Sequence, residues 1–380
     1  MGAAGLRLRA AAVAVVASLA VVAPAAAPAY AEPPDAVGGP ALAAKGIVVD
    51  RGAPPLPHVS AAGWLLADAG SGEVLAARNP HGRYLPASTL KTLTAVALLP
   101  EADLDATYDP TWEDVNIEGS KVGLTQGTRV SVGKLIEAML VVSGNDAANA
   151  VANATGGLPA AVAKMNATAK RLQAYDTLAR NPSGLDAPDQ LTSPYDLALI
   201  ARAGLSMPTF ATYVSTLRSR MPAPGGKTFE MYNHNKLLTR YPGNIGIKTG
   251  YTLKARKTYV GAARRNGRTL VVTLLKAETS YPDATALLDW GFANAGRVTP
   301  VGRLVDPLAE AQAPEERADR SRVEPLAAPP APVRVATPRE EDGGPPFVPI
   351  GSGVAVVALV TLRVRASRRR YRPTLRLPSA

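Results

Sequence analysis

Short apolar runs separated by polar turn residues occur near both ends of the central part of the chain. The stretch GWLLADAGSGEVLAARN has two such runs around Gly70-Ser71-Gly72, and TYVGAARRNGRTLVVTLLKA has two around Asn266-Gly267. An Asn-Gly pair readily adopts the positive φ angles of a tight turn, so both stretches predict β-hairpins. We therefore expect strands from both ends of this region.

Between and after these hairpins, apolar positions recur at helical spacing. SVGKLIEAMLVV predicts a helix with Ser131 as its cap, and TSPYDLALIARAGL predicts one capped by Ser193 with Pro194 at the first helical position. YPDATALLDWGFANAG predicts a closing helix. The economical arrangement is an α/β fold, an antiparallel sheet built from both ends and flanked by helices, with an all-α lobe inserted. We expect three tryptophans in the core: Trp64, Trp112 and Trp290.

The N-terminus has the features of a secretory signal. Two arginines precede an apolar stretch from Ala10 to about Val22, and Ala29 and Ala31 fit the small residues before a cleavage site. We expect residues 1–31 to be a signal peptide, and an uncleaved membrane anchor is the alternative.

The C-terminal part predicts a membrane anchor. The apolar stretch PPFVPIGSGVAVVALVTL is followed at once by RVRASRRRYR, so we expect a transmembrane helix at 346–362 and a basic cytoplasmic tail at 363–380. A disordered basic tail is the alternative. Residues 299–345 are rich in Pro, Ala and charge and predict a linker. The folded domain then spans 58–298, on the extracellular face.

The distribution of charge supports this topology. The chain has 380 residues and a net charge of +11, but nine of its 42 basic residues lie in the first 31 positions or after Leu362. The rest has 33 basic and 31 acidic residues, so the excess does not predict a nucleic-acid partner. There is no cysteine, and the three histidines lack metal-ligand spacing: His58, His81 and His234. We expect no metal and no cofactor.

Three short motifs are the candidates for chemistry: Ser88-Thr89-Leu90-Lys91, Ser143-Gly144-Asn145 and Lys248-Thr249-Gly250. Each is weak alone, because Ser131 and Lys134 repeat the first spacing and Ser88 is also explained as a helix cap. On a helix, residues three apart share a face, so Lys91 can reach the Ser88 hydroxyl. It acts as a base only if burial or a second cation, such as Lys248, lowers its pKa from about 10.4.

The order of these motifs resembles that of the low-molecular-weight penicillin-binding proteins, which are serine D-Ala-D-Ala carboxypeptidases. The segments LPASTLKTLTA, MLVVSGNDAANAVA, NPSGLDAPDQLTSPYDLA and NHNKLLTRYPGNIGIKTGYT carry the resemblance, over about residues 58–298. It implies a DD-peptidase/β-lactamase-like fold. It also implies removal of the terminal D-Ala from peptidoglycan stem peptides and covalent inhibition by β-lactams.

The resemblance also implies roles for residues. Ser88 would be the acylated nucleophile, Lys91 its general base, and Ser143 the relay of a proton to the departing amine. Asn145 would hold a substrate amide and Lys91. The remaining expected substrate-binding residues are Lys248 and Thr249 for the terminal carboxylate, Gly250 for close approach, and Tyr251, whose backbone N–H would form the oxyanion hole with that of Ser88.

Other residues near the motifs have structural interpretations. We expect Asp146 to be a hydrogen-bonding residue of the framework. Asn233, Asn235 and Lys236 are expected to support the site from behind.

Three alternatives share the predicted fold. A class A β-lactamase needs a glutamate to activate water, yet Glu230 is the only glutamate between Asp146 and Ile247. A peptidoglycan endopeptidase, which cuts cross-links after D-Ala, is not separated from a carboxypeptidase by the motifs. A non-catalytic wall-binding protein would be favoured by loss of a motif residue, and none is lost.

Overall fold

A computed structural model describes residues 37–309. The strands are β1 (Ile47–Val49), β2 (Gly63–Asp68), β3 (Glu73–Arg78), β4 (Thr107–Tyr108), β5 (Val130–Ser131), β6 (Arg218–Ala223), β7 (Lys227–Tyr232), β8 (Asn244–Thr252), β9 (Arg256–Arg265), β10 (Arg268–Ala277) and β11 (Gly302–Arg303). The helices are α1 (Lys91–Leu98), α2 (Trp112–Val115), α3 (Val132–Val141), α4 (Asn145–Ala154), α5 (Leu158–Arg171), α6 (Pro194–Leu205), α7 (Pro208–Ser215), α8 (Leu237–Arg240) and α9 (Tyr281–Asn294). The predicted signal peptide, transmembrane helix, basic tail and most of the linker lie outside the described residues.

The main sheet is antiparallel and joins the two ends of the domain. Its strand order is β1-β3-β2-β10-β9-β8, and β11 pairs with β3. Both predicted hairpins are present, as β2–β3 and β9–β10, and the second turns at Asn266 and Gly267 with φ angles of 49° and 77°. Strand β8, which carries Lys248, therefore lies at one edge of the sheet, where its outer side can receive a ligand.

The two faces of the sheet pack against different helices. Because side chains alternate along a strand, Leu65 and Ala67 of β2 join the core on the side of α1, α3, α4 and α6, whereas Trp64 and Leu66 face α9. Each fully buried leucine contributes about 1.5–3 kcal/mol relative to an exposed one. The predicted α/β class with an inserted helical lobe is confirmed.

The predicted helix starts are confirmed by their caps. The Ser131 hydroxyl accepts the backbone N–H of Lys134 at 3.3 Å, and the Ser193 hydroxyl accepts that of Asp196 at 3.1 Å. Within residues 37–309, no single helix has the length and apolarity needed to cross a membrane. The pair α6 and α7 passes that test only together, across a bend of 107°.

Two expectations differ from the structure. The fold extends beyond 58–298, because β1 and β11 both pair with β3. Trp112 is 58% exposed, so its assignment to the core is wrong. Helix α2 is short, and the side that carries Asp114 faces the interior. The Asp114 carboxylate accepts hydrogen bonds from the Tyr108 hydroxyl and from the backbone N–H of Thr111 at the helix start. Residues two apart on a helix point about 200° apart, which directs Trp112 outward.

Candidate active site

Ser88 lies in a tight 3₁₀ turn, Ala87–Leu90, which leads directly into α1. Neither the turn nor α1 is capped by a side chain, so the interpretation of Ser88 as a helix cap is wrong. Two hydrogen bonds hold the turn in place: the hydroxyls of Thr89 and Thr258 both donate to the carbonyl of Pro86, at 2.6 and 2.9 Å. The Ser88 hydroxyl takes no part in these bonds, and its neighbour is Lys91 Nζ at 3.0 Å.

The Lys91 side chain is completely buried and has three oxygen neighbours. Its Nζ lies 3.0 Å from Ser88 Oγ, 2.7 Å from Asn145 Oδ1 and 2.7 Å from the carbonyl oxygen of Ser183. The last two atoms only accept hydrogen bonds, whereas a hydroxyl can also donate. A neutral amine has two N–H groups and one lone pair. In the neutral form Lys91 can donate to Asn145 and Ser183 and take up the proton of Ser88, whereas the charged form donates to all three oxygens.

The electrostatic surroundings favour the neutral form of Lys91. Burial lowers the pKa of Lys91 well below its ordinary value, and the positive charge of Lys248 lowers it further, while the charge of Asp146 acts in the opposite direction. Burial also lowers the pKa of Lys248, to about 7. The two lysines, 157 positions apart in sequence, are therefore close enough to influence each other, as expected.

The second motif, Ser143-Gly144-Asn145, meets the first at Lys91. Ser143 is buried in the loop between α3 and α4, with a φ angle of 63°, and Asn145 begins α4. The Asn145 amide group donates from Nδ2 to the carbonyl of Glu118 at 2.6 Å, which directs its oxygen toward Lys91. The amide orientation is thus fixed by its two partners.

The third motif lies in the middle of edge strand β8. A Cβ on Gly250 would stand 2.4 Å from Thr258 Oγ1 and 2.8 Å from the backbone nitrogen of Ser88, so the residue must be glycine for the strand to pass this close. Lys248 is buried and donates to the carbonyl of Thr249 at 2.9 Å. Tyr251 follows with a side chain that is 57% exposed. The strand edge and the Ser88 turn therefore form one continuous surface.

Sequence reasoning missed a loop that supports Lys91. The side chain of Asn181 accepts the backbone N–H groups of Ser183 and Gly184, at 3.2 and 2.8 Å, and this turn presents the Ser183 carbonyl to Lys91. A Cβ on Gly184, whose φ is +83°, would stand 1.9 Å from the carbonyl oxygen of Ala87. The segment NPSG carries the only sequence signal for this loop, an Asn-Pro-x-Gly turn.

Asp146 has the framework role that was expected. Its buried carboxylate accepts four backbone N–H groups, from Val122, Gly123, Leu124 and Ala147, at 2.8 to 3.1 Å. It therefore anchors the 122–124 loop to the start of α4. Behind the site, Asn235 is buried, accepts the N–H of Leu237 at 3.1 Å and is 3.3 Å from the Tyr259 hydroxyl.

Within the described residues, a separate cluster contains three side chains that could hold a metal ion. Donor atoms of His81, Asp176 and Asp196 lie within 4.8 Å of one another. Protein groups already occupy the donors of His81 and Asp176, because His81 bonds Asp176 at 2.8 Å and the carbonyl of Val37 at 3.0 Å. Arg83 also donates to Asp176 at 3.0 Å. Two acceptors facing one imidazole fit its doubly protonated, cationic form.

Comparison with known proteins agrees with the site geometry. Residues 50–279 match the D-alanyl-D-alanine carboxypeptidase family, peptidase family S11. The chain is 42% identical over 254 residues to the D-alanyl-D-alanine carboxypeptidase DacB2 of Mycobacterium tuberculosis, covering 65% of this chain and 87% of that protein.

Solved structures give the same result. A D-alanyl-D-alanine carboxypeptidase from Mycobacterium tuberculosis superimposes with a TM-score of 0.65 at 40% identity, covering 67% of this chain and 99% of that one. The DD-transpeptidase of Streptomyces K15 gives a TM-score of 0.59 at 31% identity, covering 63% and 100%. The chain therefore belongs to the D-alanyl-D-alanine carboxypeptidase family and is a serine-type carboxypeptidase.

Proposed function

We propose that the enzyme removes the terminal D-Ala of peptidoglycan stem peptides through an acyl-enzyme on Ser88. The observation that carries this proposal is the 3.0 Å contact between Lys91 Nζ and Ser88 Oγ, made by a completely buried lysine whose other two oxygen neighbours belong to Asn145 and Ser183. A buried lysine of lowered pKa beside a serine is the arrangement that nucleophilic catalysis requires.

Acylation begins when the Ser88 proton moves to Lys91 Nζ and Oγ attacks the carbonyl carbon of the penultimate D-Ala. The backbone N–H groups of Ser88 and Tyr251 hold the resulting oxyanion, and each such donor lowers the barrier by about 3–4 kcal/mol in related acyl transfers. The C–N bond then breaks, and the proton passes from Lys91 through Ser143 to the amine of the departing D-Ala. The ester of Ser88 remains.

Deacylation reverses the proton path with water in place of the amine. Lys91, neutral again, takes a proton from water, the hydroxide attacks the ester, and Ser88 regains its proton.

Before acylation, Lys248 and Thr249 bind the terminal carboxylate of the substrate, and Asn145 holds a substrate amide. A class A β-lactamase uses a glutamate to activate the water that releases the acyl group. The only glutamate between Asp146 and Ile247 is Glu230, which lies on β7 and accepts a hydrogen bond from Tyr232. We therefore expect β-lactams to acylate Ser88 and to be released slowly.

The test is covalent labelling with a fluorescent penicillin followed by a denaturing gel. Wild type should carry the label and Ser88→Ala should not. Ser131→Ala is the matched control, because Ser131 and Lys134 repeat the spacing but form a helix cap. Release of D-Ala from a peptide ending in D-Ala-D-Ala should follow the same pattern. Label on Ser88→Ala, or none on wild type, would contradict the proposal.

We further propose that residues 1–31 direct secretion and that 346–362 anchor the enzyme, which leaves the catalytic domain on the extracellular face. The support is the apolar stretch followed by seven arginines. The full chain should sediment with membranes and resist alkaline extraction, and a chain ending at residue 345 should be released. Release of both chains would contradict the anchor.

A further inference from the structure

Basic residues are concentrated in one part of the chain. Between Glu230 and Glu278 there are ten basic residues and no acidic one. Lys248 is buried in the candidate active site, but six of the others flank the β8–β9 and β9–β10 turns, which lie at opposite ends of the main sheet. A charge excess on one surface attracts an anionic partner and favours one orientation of binding.

The end of the sheet that carries the β9–β10 turn is rich in arginine. We call it the arginine end, and it consists of Arg240, Arg264, Arg265, Arg268 and Arg297 with the turns that hold them. Arg264 donates its backbone N–H to the carbonyl of Gly243 at 2.7 Å, in the loop that follows Arg240. A Cβ on Gly296 would stand 3.8 Å from Arg268 Nη2, which brings the neighbouring Arg297 to the same surface.

The arginine end keeps an excess of positive charge. Arg265 lies over the ring of Tyr241, 4.3 Å from its centroid, and 3.6 Å from the carboxylate of Asp289. Arg268 is 3.1 Å from the carboxylate of Asp68, yet its buried Nη1 atom has no hydrogen-bond partner of good geometry among the described residues. Two paired acids therefore face five arginines.

A cleft of about 410 Å³ opens between these side chains and is lined by Arg265, Asn266, Arg268 and Ala293, with Asp289 and Phe292. The Nε atoms of Arg264 and Arg265 donate within the fold, at 3.0 and 3.1 Å, so both guanidinium groups are held by the protein. A guanidinium group offers a planar fork of donors that matches the geometry of a phosphate. The cleft and its rim are therefore suited to phosphate groups.

The last described residues pass along the same end of the sheet. Leu304 donates its N–H to the carbonyl of Gly72 in the β2–β3 turn at 2.7 Å, and Ala69 in that turn donates to Thr269 of β10 at 2.8 Å. Arg202 joins the two segments, because it donates to the carbonyls of Ala69 and Leu304 at 3.0 and 3.1 Å. The description ends five residues later, at 309. The chain thus continues toward the proposed anchor, 346–362, from the arginine end.

The active site lies further along the sheet. Strand β8 begins at Asn244 near the arginine end, and Gly250, the residue that meets Ser88, follows six positions later. Six residues of a strand span about 20 Å. A partner bound at the arginine end would therefore leave the catalytic strand edge accessible.

We propose that the arginine end docks on the anionic phospholipid headgroups of the membrane. Several turns reach this end together, so a broad partner such as a lipid surface can contact them at once. The docking goes beyond the carboxypeptidase activity and takes from the proposed function only the membrane as partner. It orients the catalytic domain, and salt reverses it, in contrast to the extraction-resistant anchoring proposed for 346–362.

The first test uses the chain that ends at residue 345, which contains the whole described fold and lacks the proposed anchor. It should sediment with vesicles of phosphatidylcholine and phosphatidylglycerol but not with vesicles of phosphatidylcholine alone. Binding should be lost in about 1 M salt, where charges are screened over about 3 Å. Equal binding to both kinds of vesicle would overturn the proposal.

Two triple variants of this chain identify the surface. Arg240→Gln/Arg264→Gln/Arg297→Gln should bind anionic vesicles about 30 to 100 times more weakly, because each basic side chain near such a surface contributes roughly a fivefold effect. The control Lys254→Gln/Arg256→Gln/Lys257→Gln removes the same charge from the β8–β9 turn at the opposite end and should bind nearly as wild type does. Equal urea midpoints check that both variants fold. Equal loss of binding in the two variants would overturn the proposal.

The second test uses the full chain in anionic vesicles. Because the chain has no cysteine, one introduced cysteine can carry a fluorophore at a single place. A quencher on the lipid headgroups should quench the label on Ala293→Cys, in the cleft, more than the label on Lys254→Cys. Stronger or equal quenching at position 254 would overturn the proposal.

A soluble polyanion is the competing partner. If the shorter chain binds polyphosphate more tightly than anionic vesicles at equal phosphate concentration, the arginine end serves such a polymer and the membrane assignment is overturned. The shorter chain has no anchor, so failure of the proposed anchor and failure of the arginine end are separate results.

Discussion

Lys91 donates a 2.7 Å hydrogen bond to the side-chain oxygen of Asn145, 54 positions further along the chain. The bond joins the first and second motifs and occupies one of the two N–H groups of a neutral lysine. Loss of one partner in a buried network costs about 1–3 kcal/mol. The side chain at position 145 therefore controls both the orientation and the protonation of Lys91.

Asn145→Asp tests that control. A carboxylate beside Lys91 would favour the ammonium form and raise the pKa of Lys91, so acylation should be slower at neutral pH and recover as the pH rises. The measurement is the second-order rate of labelling by fluorescent penicillin against pH. Asn145→Ala is the control, because it removes the hydrogen bond without adding charge and should slow labelling without moving the acidic limb upward. If the acidic limb of the labelling-rate profile does not move to higher pH in Asn145→Asp, the account is contradicted.

The pH dependence of kcat/KM should be bell-shaped. Activity requires a neutral Lys91 and a charged Lys248, so it should fall at low pH as Lys91 takes up a proton below its lowered pKa. It should fall again at higher pH, because Lys248 loses its proton and its charge as pH rises through its pKa of about 7. A bound substrate carboxylate raises the pKa of Lys248, so the basic limb of kcat should lie at higher pH than that of kcat/KM. Coincident basic limbs would contradict carboxylate binding at Lys248.

Gly184→Ala should remove activity and lower stability. The new Cβ would stand 1.9 Å from the Ala87 carbonyl oxygen, so the Ser88 turn must move. The matched control is Gly225→Ala, whose φ of +71° is similar but whose Cβ has no neighbour within 4 Å. Both should show the strain of about 1–3 kcal/mol at positive φ, but only Gly184→Ala should lose penicillin labelling. Equal labelling of the two variants would show that the contact does not position Ser88.

His81 should stabilise the fold more at low pH than at high pH. Burial lowers its pKa, but the hydrogen bond and charge of Asp176 outweigh burial, so the net pKa is raised above 6.5. The stabilisation is then fully present below that value and is lost as pH rises through the folded-state pKa. Other charged groups facing His81 are Arg83, which bonds Asp176, and Asp196.

Urea unfolding of wild type and His81→Gln at about pH 5.5 and 8.5 measures this effect. The difference in unfolding free energy between the two proteins should be larger at the lower pH. A larger difference at the higher pH would contradict the cationic assignment of His81.

The sequence predicted the hairpins, the capped helices and the juxtaposition of Lys91 and Ser88, because each leaves a pattern of residue types at fixed spacing. It did not predict that Ser183 contacts Lys91, since a main-chain carbonyl leaves no such pattern. Strands β1 and β11 have three and two residues, too few for a periodic signal. Trp112 was misassigned because its exposure depends on which side of a four-residue helix carries a buried acid.

The proposed mechanism depends on a neutral Lys91 in the resting enzyme. The direct measurement is an NMR titration of protein with ¹³C-labelled lysine, in which the Lys91 signal is assigned by its loss in Lys91→Met. The account predicts that this signal has the chemical shift of a free amine at pH 7 and changes only on acidification. A Lys91 signal that remains that of an ammonium group up to about pH 9 would contradict it.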